Sequence, residues 1–132
     1  MICWTQEYSV NNETLDEQHQ ELFKILNELA KYVERKQFQC VGKILTDLEL
    51  YALFHFSAEE NAMAKCSCPD LEKHKEEHEK FAVTMQGFKK MPIEESAEVC
   101  KEVLDYLLNW TTNHIKISDK AYGPYLIKKS QS

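Results

Sequence analysis

A chain of 132 residues is sized for one domain and buries roughly two thirds of its unfolded surface, enough for a core without covalent staples. Apolar residues at 43% and charged residues at 29% exclude a disordered chain. A net charge of −6 and a single arginine, Arg35, leave no basic face for nucleic acid. No apolar run approaches the ~20 residues of a membrane span, and residues 1–7 lack the basic start and apolar stretch of a secretory signal. Five cysteines, an odd number without signs of export, argue against a disulfide framework. The expectation is a soluble, cytoplasmic monomer.

Residues 1–13 form an arm with Trp4 and Tyr8 but too few apolar side chains for a core of its own, so it should pack across the rest of the chain. Four segments then carry a helical period. In the first, Leu15, His19, Leu22, Phe23, Leu26, Leu29, Ala30 and Val33 recur at steps of three and four. Thr14-Leu15-Asp16-Glu17 has the spacing of a capping box and predicts the helix start there. The second, about 41–63, aligns Ile44, Leu45, Leu48, Ala52, His55 and Glu59. The third, about 70–90, aligns Leu71, His74, His78, Phe81, Met85 and Phe88. The fourth, about 96–117, aligns Cys100, Val103, Leu104, Leu107, Trp110 and His114. Only three glycines and three prolines punctuate the chain, which suits long helices and short turns. Segments of about twenty residues, each ~30 Å long, predict an all-α fold: an up-down-up-down four-helix bundle over about 14–119. A short tail, about 120–132, holds Tyr122, Tyr125 and Leu126 and closes on Lys-Lys-Ser-Gln-Ser, a true terminus or the start of a linker.

All five histidines sit on the stripes that face the core. A buried imidazole without a partner costs on the order of 1–3 kcal/mol, and the stripes show no matching set of polar partners, so a shared metal site is expected. His55 and Glu59 are four apart, as are His74 and His78, and each pair projects from one side of its helix. His19 and His114 add one donor each. Asp119 lies five residues after His114, about 140° off that face on an ideal helix, and can join only if the helix ends or bends near 116–118. Asp16, Glu60 and Glu77 are expected on solvated faces. Imidazole and carboxylate suit iron, zinc, copper or manganese alike, but five imidazoles and two carboxylates are too many for one tetrahedral zinc. If two six-coordinate ions shared both carboxylates and one oxo or hydroxo bridge, one position would stay open for a small ligand. The ferritin-like design of Glu-x-x-His pairs is excluded, because Asp16, Ala52, Leu71, Lys75 and Thr111 stand three before the histidines.

From Trp4-x3-Tyr8-Ser9-Val10 and Leu15-Asp16-Glu17-Gln18-His19, through His55-Phe56-Ser57-Ala58-Glu59 and His74-x3-His78-x2-Phe81, to Trp110-x3-His114-Ile115-x3-Asp119 and Tyr122-x-Pro124-Tyr125-Leu126, the chain resembles the hemerythrins, in particular the bacterial single-domain form. The resemblance covers nearly the whole chain and brings Asp119 in, because the family places Asp five after that histidine. It implies two irons per chain, one on His74, His78 and His114 and the other on His19 and His55. Glu59 and Asp119 would bridge them, and dioxygen would bind reversibly at the open position of the two-histidine iron. Phe56, Trp110 and Ile115 would wall that oxygen pocket while also serving as core. Cys68-Pro69 departs from the family, where an aromatic often precedes the proline.

The implied function is oxygen carriage, storage or delivery. A rival is an oxygen or redox sensor within a larger signalling protein. Turnover of peroxide or nitric oxide is a weaker rival, since no additional acid, base or nucleophile lies on the core stripes. Cys66 and Cys68 are expected as exposed loop thiols, and Cys3, Cys40 and Cys100 as small hydrophobes or incidental thiols.

Overall fold

The computed structural model describes residues 2–131, with side chains as far as Leu126; the closing residues 128–132, expected as terminus or linker, lie outside those described side chains. Four long helices form the bundle: α1 (Glu13–Glu34), α2 (Phe38–Lys65), α3 (Leu71–Lys89) and α4 (Ala97–Asn113). A fifth, α5 (Lys120–Gln131), follows α4 through a six-residue π-helical segment, His114–Asp119. The expected tail is therefore helix, and it belongs to the core.

The start of α1 differs from the expected capping box. Asn12 is the cap, and its Oδ1 accepts from the backbone N–H of Leu15 at 3.0 Å. Thr14 already lies inside the helix. Asp16 is diverted to the arm, accepting from Ser9 Oγ at 2.7 Å and from the Val10 N–H at 2.8 Å. It is a tether rather than a solvated carboxylate. Asn12→Ala should cost about 1 kcal/mol and Thr14→Ala appreciably less, a contrast that urea midpoints will read directly.

The apolar stripes meet as the periodicity requires. α1 packs on α2 and α4, and α2 on α3. Leu22, Leu26, Leu29, Val41, Leu45, Leu48, Met85, Val103 and Leu107 fill one end of the bundle. Each such side chain taken from water contributes roughly 1.5–3 kcal/mol. Val10, Leu15, Met63, Cys68, Tyr122 and Leu126 form a second, smaller core at the other end. Cys68 is thus buried rather than an exposed loop thiol, and Cys66 is partly covered. Cys100 is buried and donates its thiol to the Ile93 carbonyl at 2.9 Å. Between α3 and α4 the contact runs through large rings, Phe81 against Trp110 at 4.5 Å and Phe88 against Tyr106 at 5.3 Å.

The arm lies across the bundle. Trp4 and Tyr8 pack on Phe23 at 5.8 and 4.8 Å, with Ile115 in the same cluster. Two hydrogen bonds of 2.8 Å between the Ile2 backbone and the Asn27 side chain fix its beginning. α5 approaches the arm so closely at Gly123 that a Cβ there would meet the Val10 carbonyl oxygen at 3.2 Å. Among the described residues, no helix is long and apolar enough to cross a membrane.

Candidate metal centre

Between the two apolar cores lies a polar layer. His19 comes from α1, His55 and Glu59 from α2, His74 and His78 from α3, and His114 and Asp119 from the two ends of the π segment. None of the seven is more than 7% exposed.

The π segment is what brings Asp119 in. Its bonding closes i→i+5, as in the Lys120 N–H donating to the Ile115 carbonyl, and the wider turn carries position +5 round to the face of position 0. The helix does not end at 116–118, one of the two ways in that the sequence left open. It widens there, and Asp119 Oδ1 stands 3.0 Å from His114 Nε2.

The donor atoms fall into two sets sharing both carboxylates. One holds Glu59, His74, His78, His114 and Asp119, and the other His19, His55, Glu59 and Asp119. Within each set the ligand atoms lie within 4.8 Å of one another. Glu59 Oε1 is in contact with His74 Nε2 and is 3.5 and 3.8 Å from the Nε2 atoms of His78 and His114. Its other oxygen, Oε2, faces His55 Nε2 at 2.5 Å and His19 Nε2 at 3.6 Å. Asp119 divides in the same way, with Oδ1 2.7 Å from His74 Nε2 and Oδ2 3.0 Å from His19 Nε2.

Several of these atoms make no hydrogen bond. His19 Nε2, Glu59 Oε2 and both Asp119 oxygens are buried and unpaired by hydrogen-bond geometry. Four orphaned polar atoms in one buried layer are costly unless cations sit between them, so the donors fit a metal pair. Electrostatics agree. Burial favours the neutral forms of Glu59 and Asp119, yet the surrounding imidazoles hold both below the usual carboxylate range. Burial likewise favours neutral His19 and His74, but the facing Asp119 and Glu59 carboxylates override it and push both up to about 9. Two buried anions thus draw positive charge from the imidazoles around them, the charge that metal ions would supply in place of protons.

Three supporting side chains were not foreseen. Gln18 Oε1 is 2.7 Å from His55 Nδ1, Glu60 Oε2 is 2.8 Å from His78 Nδ1, and Glu77 Oε2 is 2.9 Å from His114 Nδ1. The His114 imidazole holds the Glu77 carboxyl down to about 2. Gln18 and Glu60 take a proton-bearing Nδ1, leaving the Nε2 lone pair aimed inward, while Glu77 faces His114 Nδ1 at ion-pair distance without hydrogen-bond geometry. Each pair spans two helices, 18 or 37 residues apart in sequence for His78 and His55, so single-helix spacing carries no trace of it.

Beside the centre is a small cavity of about 10 Å³, room for one water-sized molecule. Leu22, Leu48, Phe56, Phe81, Trp110 and Ile115 supply its apolar walls. Phe56 stacks on His78 at 3.8 Å with 6° between planes, and Trp110 on His114 at 4.4 Å with 11°.

A four-helix bundle with five inward imidazoles and two shared carboxylates fits the class of histidine-rich di-metal proteins. Comparison with known proteins narrows the class. The family model of the hemerythrin HHE cation binding domain matches residues 10–126. A bacteriohemerythrin of Clostridium acetobutylicum is 32% identical, with 92% of this chain and 98% of that protein aligned. One of Methylococcus capsulatus is also 32% identical, over 96% and 97%. A crystal structure of wild-type hemerythrin matches with TM-score 0.86 and 31% identity, covering 96% of this chain and 98% of the other. The chain belongs to the hemerythrin family, and its cluster fits a di-iron site for dioxygen binding.

Proposed function

We propose that this cytoplasmic protein binds dioxygen reversibly at two iron ions, as a carrier or store rather than as an enzyme. The observation that carries the reading is the division of donors into a three-histidine and a two-histidine set around shared carboxylates. His74, His78 and His114 would hold one iron and His19 and His55 the other, with Glu59 and Asp119 offering an oxygen to each. Two ferrous ions supply the two electrons that reversible dioxygen binding draws on. The two-histidine set offers one imidazole fewer, so an iron there would keep room for an added ligand. The small cavity is lined by both histidines of this set, His19 and His55, and by one of the other three, His114, a balance that supports the same side.

The side chains around the site have separable tasks. Phe56, Trp110 and Ile115 form the dry wall of the oxygen pocket, excluding water and bulky ligands. The stacked rings of Phe56 and Trp110 also fix the planes of His78 and His114. Gln18 and Glu60 hold the imidazole tautomers that present Nε2 to the metals, and Glu77 places a carboxylate against the outer nitrogen of His114.

The test is an optical titration of anaerobically reduced, iron-quantified protein. An absorption band should appear with oxygen at two irons per chain and vanish on deoxygenation. Irreversible oxidation without such a band would replace binding by a redox or enzymatic role, and protein purified without iron would reopen the metal's identity. Steady-state assays with hydrogen peroxide or nitric oxide and a reductant should show no sustained consumption.

A further inference from the structure

The two halves of the centre are alike in their inner atoms and unlike in what stands behind them. Behind the three-histidine set are two carboxylates, Glu60 at 2.8 Å from His78 Nδ1 and Glu77 at 2.9 Å from His114 Nδ1. Behind the two-histidine set stands one neutral amide, Gln18 at 2.7 Å from His55 Nδ1. His19 Nδ1 is buried and has no hydrogen-bond partner. Among the described residues, the carboxylates facing an outer imidazole nitrogen stand behind the three-histidine set.

That difference has a chemical consequence. An imidazole whose N–H faces a carboxylate gains electron density at the opposite nitrogen and becomes a stronger ligand than one that faces an amide. The carboxylates also add two negative charges behind the three-histidine set. Glu60 and Glu77 are 27% and 28% exposed at the side chain, while the rings they address are at most 5% exposed. Each carboxylate therefore reaches from the rim of the bundle to a buried ring on a neighbouring element.

We propose that Glu60 and Glu77 are positioning residues that make the three-histidine site the stronger metal site, leaving the two-histidine metal electron-poorer and the one open to an incoming ligand. The proposal deepens the di-iron reading and rests on it. Three imidazoles against two already favour the same order, so the carboxylates' share has to be isolated by substitution.

The experiment is an anaerobic titration of metal-free protein with ferrous ion against a competing chelator. Wild-type protein should take two ions in sequence, the first tighter. Glu60→Gln and Glu77→Gln keep the shape and an accepting oxygen, and each should weaken the first ion by about 10–100-fold while sparing the second. Gln18→Glu tests the converse, since a carboxylate behind His55 should tighten the second ion. A purely structural role for these side chains would not produce that gain. Two ions bound by Glu60→Gln and Glu77→Gln with wild-type affinities, or an equal weakening of both ions, would overturn the proposal and leave the di-iron reading standing. Fewer than two ions bound by the wild-type chain at saturation would overturn the di-iron reading itself.

Discussion

Replacing His74 by alanine should strip the centre of metal and destabilise the fold by about 3–5 kcal/mol. Its Nε2 contacts Glu59 Oε1 and lies 2.7 Å from Asp119 Oδ1, so it stands between the two carboxylates that both metal sets share. Without it, two anions buried at 0% exposure face each other with one cationic partner fewer. Neither can reach water, and the remaining imidazoles approach from other sides. Metal analysis after desalting should find less than one iron per chain, and thermal unfolding should start well below wild type. Two irons tightly retained by His74→Ala would overturn the ligand assignment.

Phe56→Ala should have a comparable effect on stability and a different one on the bound gas. The ring is 5% exposed and touches Phe81, Trp110 and His78. Its removal leaves a void in a packed interior, at about 3–5 kcal/mol. The void adjoins a cavity that now admits little more than one small molecule, so water gains access to the irons. The urea midpoint should fall, and the oxygenated absorption of Phe56→Ala should decay to the oxidised form several-fold faster than wild type. A decay rate unchanged in a destabilised variant would assign Phe56 to packing alone.

The bundle was legible because its signal is local and periodic. Leu22, Leu26 and Leu29 announce one face of a helix whatever lies opposite, and the inward histidines share that face. The helix bounds moved by only a few residues, and the capping residue moved because Asn12 and Thr14 both suit a cap while the arm claims Asp16. Asp119 shows a subtler limit. Counted from His114, Asp119, Tyr122 and Leu126 stand at +5, +8 and +12, off the α-helical stripe that carries His114. Subtracting one residue gives +4, +7 and +11, a regular stripe, so the phase slip itself marks the π turn and the helix beyond it. Read without that slip, Tyr122 and Leu126 fall off the face of His114 and pass for a tail. Gln18, Glu60 and Glu77 carry no such mark, since their meaning lies in helices packed beside them. Asp16 escapes a sequence reading for the same reason.

The order of the donors along the chain also bears on how the protein comes apart. His19 and Asp119, 100 positions apart, stand 3.0 Å from each other, and the remaining donors are spread between them. Ions held by both sets bind only the folded arrangement, so they would knot the first helix to the last and tie the two ends of the chain into one cooperative unit. Without them, the arm, α5 and the small core they enclose are held to the rest by a few hydrogen bonds and apolar contacts. The centre is then a clasp as well as a gas-binding site, and an emptied protein would loosen from the ends it gathers.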